Sequence, residues 1–201
     1  MIIPLFPLGA VLFPGGRLPL RIFEARYMDM ATACLKDNSP FGICLIASGA
    51  EVSKSGSAPA KPHATGTLAQ VGEWDMPQLG ILNIIAHGTQ RFRLLRQWVE
   101  PSGLMRGEIA LPDDPATQAL PGAYQRLIPL LRAILVEMGD ADNAPAQPHR
   151  FDDAQWVGMR FAEILPIPAA AKQTLLEVDD SVDRLEIIYR FLASKSLLPD
   201  E

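Results

Sequence analysis

The sequence predicts an α+β protein in two lobes: a curled, partly closed β-sheet with one helix over residues 1–112, then a helical lobe over residues 113–201. Three observations predict it. Roughly seven short apolar segments of strand length, punctuated by proline and glycine, fill the first half, as a curled sheet requires. Pro112-Asp113-Asp114-Pro115 then interrupts the pattern and marks a lobe boundary. Beyond it, apolar residues recur at helical spacing.

Taken in order, the first residues make two extended segments. Pro4, Pro7, Pro14 and Pro19 cannot donate a backbone hydrogen bond, so these segments belong at sheet edges or turns. Gly15-Gly16 marks a turn. Phe23, Tyr27, Ala31, Cys34 and Leu35 then form a helical stripe that Asn38-Ser39-Pro40 stops. Residues 41–48 are continuously apolar. Periodicity alone does not separate a buried strand from a buried helical turn, but the length and the flanking Pro40 and Gly49 favour a strand. Residues 53–62 are small, polar and proline-bearing, and read as a surface loop. Strands are expected over residues 65–72 and 81–87, joined by a hairpin connection at 73–80. Gly88 reads as a break. Arg91, Phe92, Arg93 and Leu94 alternate as a half-buried strand does, and Leu95 breaks the phase, which predicts a bulge or twist. Residues 105–111 offer a last strand.

In the second lobe, Tyr124, Leu127, Ile128, Leu131, Ile134, Leu135 and Met138 predict a helix ended by Gly139, with Pro129 kinking it or resetting its start. A polar linker follows at 140–148. Asp152 or Asp153 can cap the next helix, whose apolar face is Ala154, Val157, Phe161, Ile164 and Leu165. Pro166 and Pro168 break it before a short helix at 169–177. Asp179-Asp180-Ser181 then caps a last helix with the stripe Val182, Leu185, Tyr189 and Leu192.

Composition bounds the function. A net charge of −5 supplies no global basic field for nucleic acid or anionic lipid. Cys34 and Cys44 make no disulfide framework and read as reduced core residues. There is no signal-peptide pattern and no apolar run of membrane-spanning length, so a cytoplasmic protein is expected.

Several phrases, in order, resemble the Lon protease N-terminal domain: residues 4–8 (Pro-Leu-Phe-Pro-Leu), 12–15 (Leu-Phe-Pro-Gly), 18–27 (Leu-Pro-Leu-Arg-Ile-Phe-Glu-Ala-Arg-Tyr) and 41–43 (Phe-Gly-Ile). Gly-Thr-Leu-Ala at 66–69, the Gly88–Arg93 phrase, and Lys172–Glu177 with Asp179 and Arg184-Leu185 extend the resemblance over nearly the whole chain. The resemblance implies a PUA-like pseudo-barrel followed by a helical subdomain. It also implies a stand-alone copy of a domain that, in Lon proteases, precedes an ATPase and a Ser–Lys peptidase. Neither module has its residues here: no Gly-x-x-x-x-Gly-Lys-[Ser/Thr] loop occurs, and nothing corresponds to the dyad.

No catalytic constellation, cofactor motif or metal site is legible. His63, His87 and His149 are scattered, the cysteines lack Cys-x-x-Cys spacing, and Ser53-Lys54-Ser55 has no positioned base. The acidic pairs Asp113/Asp114, Asp152/Asp153 and Asp179/Asp180 suit caps and turns better than catalysis. Arg17, Arg21, Arg91, Arg93 and Arg96 are candidates for a basic face, though alternating arginine usually marks the solvent side of a half-buried sheet. The candidate peptide-binding residues are Trp74, Met76 and Leu79 at the expected hairpin tip, with Arg21 and Arg26. The three apolar ones either fold back on the core or form a patch for a peptide or subunit. Glu24 and Arg26 either recognise a ligand or hold the first helix in place.

The leading expectation, implied by the resemblance, is a non-enzymatic module binding unfolded or tagged polypeptide and passing it to a protease or chaperone, by apolar capture and strand addition at an open sheet edge. The alternatives are a PUA-like RNA-binding protein, which the acidic charge argues against, and an assembly or regulatory protein. A hydrolase has no residues to support it. The oligomeric state is left open.

Overall fold

The computed structural model describes residues 1–49, 60–112 and 117–198. The chain divides into two compact units, Met1–Asp113 and Asp114–Glu201.

The first unit is a seven-stranded sheet with one helix. Its strands are β1 (Ile2–Leu8), β2 (Arg17–Ile22), β3 (Phe41–Ser48), β4 (Lys61–Pro62), β5 (Thr65–Gln78), β6 (Ile81–Val99) and β7 (Met105–Ala110), and its helix is α1 (Ala25–Asp37). The strands run in the order β1-β7-β6-β5-β3, and β3 pairs back onto β1 in parallel, Leu5 opposite Gly42 and Leu8 opposite Leu45. Five strands thus close a ring, which removes free edges and encloses a core of Ile3, Leu5, Cys44, Leu68, Phe92, Met105 and Ile109. Backbones pass close to this core: a Cβ on Gly66 would stand 2.5 Å from Ile43 O and 2.6 Å from Phe92 Cζ.

β5 and β6 outrun the barrel. Their far halves form an arm with β2, Arg17–Ile22 pairing antiparallel with Ile22's partner Leu82 through His87. A second core, including Phe6, Leu12, Ile22, Tyr27, Met30, Cys34, Phe41, Leu82 and Ile84, lies where α1 packs. The helix ends as its sequence implies: Asn38 takes the left-handed conformation at φ 49°, which asparagine tolerates, and the Ser39 N–H donates to Cys34 O at 3.1 Å.

Several expectations are corrected here. Residues 73–78 are strand, so the hairpin turn is only Leu79 and Gly80, the latter at φ +85°. Gly88 does not break a strand. It lies against the Gly15-Gly16 turn, donating to Gly16 O at 2.9 Å and accepting from Gly15 N at 2.8 Å, and a Cβ there would meet Phe13 O at 2.2 Å. Phe23 precedes α1 and is 58% exposed, and Leu35 is half-buried; Tyr27, Met30, Ala31 and Cys34 form the true stripe. Arg91 is buried at 3% exposure although it faces away from the enclosed core: it stands opposite Thr67, and that face of the sheet is covered by the segment around Leu12, whose carbonyl accepts from Thr67 Oγ1 at 2.6 Å. Lys61 and Pro62 pair with β3, so the polar loop stops short of residue 62. Residues 53–59, with Ser53-Lys54-Ser55, and Asp113-Asp114-Pro115 of the boundary lie outside the described residues. At Leu95 the register does shift, between Leu94 and Arg96 against β7.

The second unit carries a 3-10 turn at Gly122–Tyr124 and the helices α2 (Leu127–Met138), α3 (Ala154–Ile164), α4 (Ala169–Glu177) and α5 (Ser181–Ser194). Pro129 falls in the first turn of α2, where its missing N–H leaves no bond unmade. Asp153 caps α3 by accepting from Gln155 N at 2.9 Å and Trp156 N at 3.3 Å; Asp180 caps α5 through Val182 N and Asp183 N at 2.7 and 3.0 Å. α3 is buried on nearly every side from Trp156 to Ala162, which its narrow predicted stripe understated, while Ile164 is half-buried. On α5 the buried apolar residues are Leu185, Ile188 and Leu192, with Val182 and Tyr189 half-buried. Arg184, fully buried on the same helix, donates from Nε to Leu175 O at 2.9 Å and from Nη2 to Val178 O, satisfying carbonyls at the end of α4.

Candidate functional site

The arm presents the one cluster of large apolar side chains that the sequence singled out. Strand pairing decides which way each residue faces, because directly opposed residues of an antiparallel pair share a face. On β6, Leu82, Ile84 and Ala86 are buried, while Ile81, Asn83, Ile85 and His87 alternate onto the outer face. Leu20 and Trp74 both stand opposite Ile84, and so belong to the core-side face. Arg17 opposite His87 and Arg21 opposite Asn83 belong to the outer face, as does Asp75, also opposite Asn83.

The reading in which the tip folds back on the core is overturned: Trp74 is 58% exposed, Met76 45% and Leu79 98%. Trp74 and Met76, two residues apart, project from the same face of β5, Trp74 directly beside Ile84, yet they stand in solvent while Ile84 and Leu82 are covered. Leu79 stands at the turn. The arm therefore ends in an apolar patch carried on hydrogen-bonded strand rather than on a loop.

A charged clasp on the opposite face fixes the arm. The register slips between Val71 and Trp74, placing an extra residue against β6 and turning Glu73 outward. The Glu73 carboxylate accepts from Arg17 Nη2 at 2.8 Å and lies 2.9 Å from His87 Nε2, joining β2, β5 and β6. Its own backbone N–H, then the His87 hydrogen bond and the Arg17 charge, hold this carboxyl below the usual carboxylate range. Gly72 leaves space for the His87 ring, which would lie 2.6 Å from a Cβ at that position. Sequence reasoning missed this clasp because its members sit 56 and 14 residues apart. The only local signal was a glycine beside a glutamate in a strand-like run.

The remaining candidates do not join the patch. Arg21 is exposed but on the other face of the arm. Arg26 is committed to the fold: it pairs with Glu24 at 2.7 Å, donates to Gly103 O at 2.9 Å and lies over the Tyr27 ring at 4.5 Å. Nor do the five arginines make one basic face. Arg91 is buried, Arg17 is paired with Glu73, and Arg96 lies over Trp98 at 5.3 Å on the barrel. Among the described residues no group of three or more His, Cys, Asp or Glu is placed to hold a metal ion. Cys34 and Cys44 are buried free thiols, and burial pushes Cys44 up to about 12. No helix among the described residues is long and apolar enough to cross a membrane.

The model of the ATP-dependent protease La (LON) substrate-binding domain matches residues 2–194. The chain belongs to the Lon substrate-binding domain family. Among solved structures, it is similar to a Lon N-terminal domain protein from Xanthomonas campestris, at 33% identity and a TM-score of 0.77, over 95% of this chain and 98% of that one. It shares its fold with the N-terminal domain of Mycobacterium avium complex Lon protease, at 16% identity and a TM-score of 0.68, over 96% of this chain and 98% of that one. No curated protein matches it. In this Lon domain the apolar patch is the end of the β5–β6 arm, and the clasp links that arm's three strands on the opposite face.

Proposed function

We propose that this Lon domain is a binding module, without catalysis of its own, that captures unfolded polypeptide in the cytoplasm and presents it to a protease or chaperone. The observation that carries the reading is the joint exposure of Trp74, Met76 and Leu79 at the end of an ordered arm. Exposing such side chains is unfavourable in water, at about 25 cal/mol per Å² of apolar surface, and an apolar segment of a partner relieves it. Methionine and leucine adapt to varied partners, and tryptophan supplies a large rigid contact. Binding then lies in the β-rich lobe of residues 1–112, with the helical lobe of 113–201 as a separate folding unit. A chain belonging to a family named for substrate binding supports the same reading.

The test is fluorescence anisotropy of a labelled, permanently unfolded polypeptide titrated with the protein at low and moderate salt. Saturable binding that survives salt and is lost in Trp74→Ser and Met76→Ser supports apolar capture. Binding that both variants retain removes the patch from the site. Binding that instead collapses with salt and extends to RNA moves the protein to the nucleic-acid class.

A further inference from the structure

The two outer edges of the arm differ in charge: basic along β2, acidic along β5. β2 forms one edge and carries Pro19 with Arg17 and Arg21, the proline and charge with which proteins blunt an exposed strand. β5 forms the other. It pairs with β3 only across Thr67–Ala69, so along residues 70–76 no strand among the described residues covers its outer side. No proline interrupts that stretch before Pro77, but the register against β6 slips between Val71 and Trp74 and again between Asp75 and Gln78, so the regular alternation available to a partner runs over residues 73–76. An extended chain laid along it continues the sheet and satisfies backbone groups that otherwise face water.

The register dictates what such a chain must carry. Along this edge Trp74 and Met76 project on the core-side face, while Glu73 and Asp75 project on the outer face. Glu73 is engaged by Arg17 and His87, whereas Asp75 is exposed and forms no ion pair among the described residues. Opposed side chains of neighbouring strands share a face, where opposite charges attract and like charges repel. We propose that the β5 edge takes an extended polypeptide segment in which apolar residues alternate with lysine or arginine. The apolar residues pack beside Trp74 and Met76, and the basic ones stand beside Asp75. This rests on the capture reading above and adds to it backbone pairing, a period of two and a preference for positive charge.

The experiment uses the whole protein and short labelled peptides built from valine and lysine. One peptide alternates the two residues, a second holds the same composition in two blocks, and a third alternates valine with glutamate. The alternating basic peptide is expected to bind about tenfold more tightly than either other, as a few cross-strand pairs together provide. N-methylation of one alternate set of its backbone nitrogens abolishes binding, and methylation of the other set leaves it. Asp75→Lys, a change at an exposed site, reverses the preference toward the glutamate peptide. If order, charge and N-methylation leave affinity unchanged while Trp74→Ser still abolishes capture, strand addition is overturned and apolar capture stands. If no peptide and no unfolded polypeptide binds, both readings fall. A dimer in sedimentation that saturating alternating peptide does not dissociate, with no peptide bound, assigns the edge to a second copy of this chain and overturns the proposal.

Discussion

β5 and β6 pass through two environments. In the barrel they bury Gly66, Thr67, Leu68, Ala69, Arg91 and Phe92, an arginine included. In the arm the same hairpin leaves Trp74, Met76 and Leu79 in solvent. Residue type does not explain the contrast, since the exposed set is as apolar as the buried one. Ring closure does: β3 meeting β1 gives every barrel strand a neighbour on both sides and a shared interior. The arm has β2 on one side, no paired strand among the described residues on the other, and core packing that stops at Leu82 and Ile84. Apolar side chains that the fold leaves without a second layer are available for a partner.

The largest effect that would sharpen this contrast is in the barrel. Phe92→Ala removes a fully buried ring packed with Leu5, Leu68 and Ile109. It is expected to destabilise the first unit by about 3–5 kcal/mol in urea unfolding, and a loss below about 1 kcal/mol would break the claim that the barrel holds that unit together. Gly88→Ala comes next. Its new methyl group meets the Phe13 carbonyl, a backbone atom that moves only if the Gly15-Gly16 turn moves with it. The expected loss is about 1–3 kcal/mol by the same measurement.

Gly88 also illustrates where local reading fails. A glycine within a strand pattern is seen from the sequence as punctuation, yet here it admits a distant backbone. Arg91 is the same kind of error: alternation correctly predicted a strand at residues 91–94 with Arg91 facing away from Phe92, but the distant segment around Leu12 covers the face that Arg91 shares with Thr67. Residues 73–80, lying between two expected strands, read as a connection, whereas pairing with β6 carries the strand through Gln78. Features whose cause is local were legible: the Asp153 and Asp180 caps, the stop at Asn38, the Gly139 end of α2 and the bulge at Leu95. The apolar trio of the candidate site was legible as a cluster, but its separation from Arg21 depended on strand register, and the tie from Arg26 to Gly103 on a contact 77 residues away.

In the arm, stability and binding should separate. Trp74→Ser is expected to change unfolding free energy by no more than about 0.5 kcal/mol, because the side chain is mostly in water already. The same variant should weaken capture of unfolded polypeptide by about tenfold or more, as loss of a central aromatic anchor does. A variant that loses stability and binding together would mean that Trp74 belongs to the core and that the arm is only an extension of the barrel.

The smallest expected effect tests whether the arm opens independently. Glu73 titrates below the ordinary carboxylate range, first through its own backbone N–H and then through His87 and Arg17. A carboxylate whose pKa is lowered by folding contributes stability that is present above its unfolded value and is lost as pH falls through its folded value. Solvent screening around so exposed a group keeps the effect on global unfolding slight. The effect should instead appear locally. The Glu73 carboxyl resonance should titrate below that of free glutamate, and His87→Ala should move it upward without restoring the free value, since the backbone contribution persists. As pH falls through that midpoint, hydrogen exchange corrected for its intrinsic pH dependence should rise at residues 72–76 and 84–87 and stay unchanged at 66–69 and 91–94. Local opening of this kind draws on elements with few buried contacts, which describes the arm and not the barrel. An equal rise in both halves would make β5 and β6 one cooperative unit, and the difference between buried and exposed halves would then be one of solvent access alone.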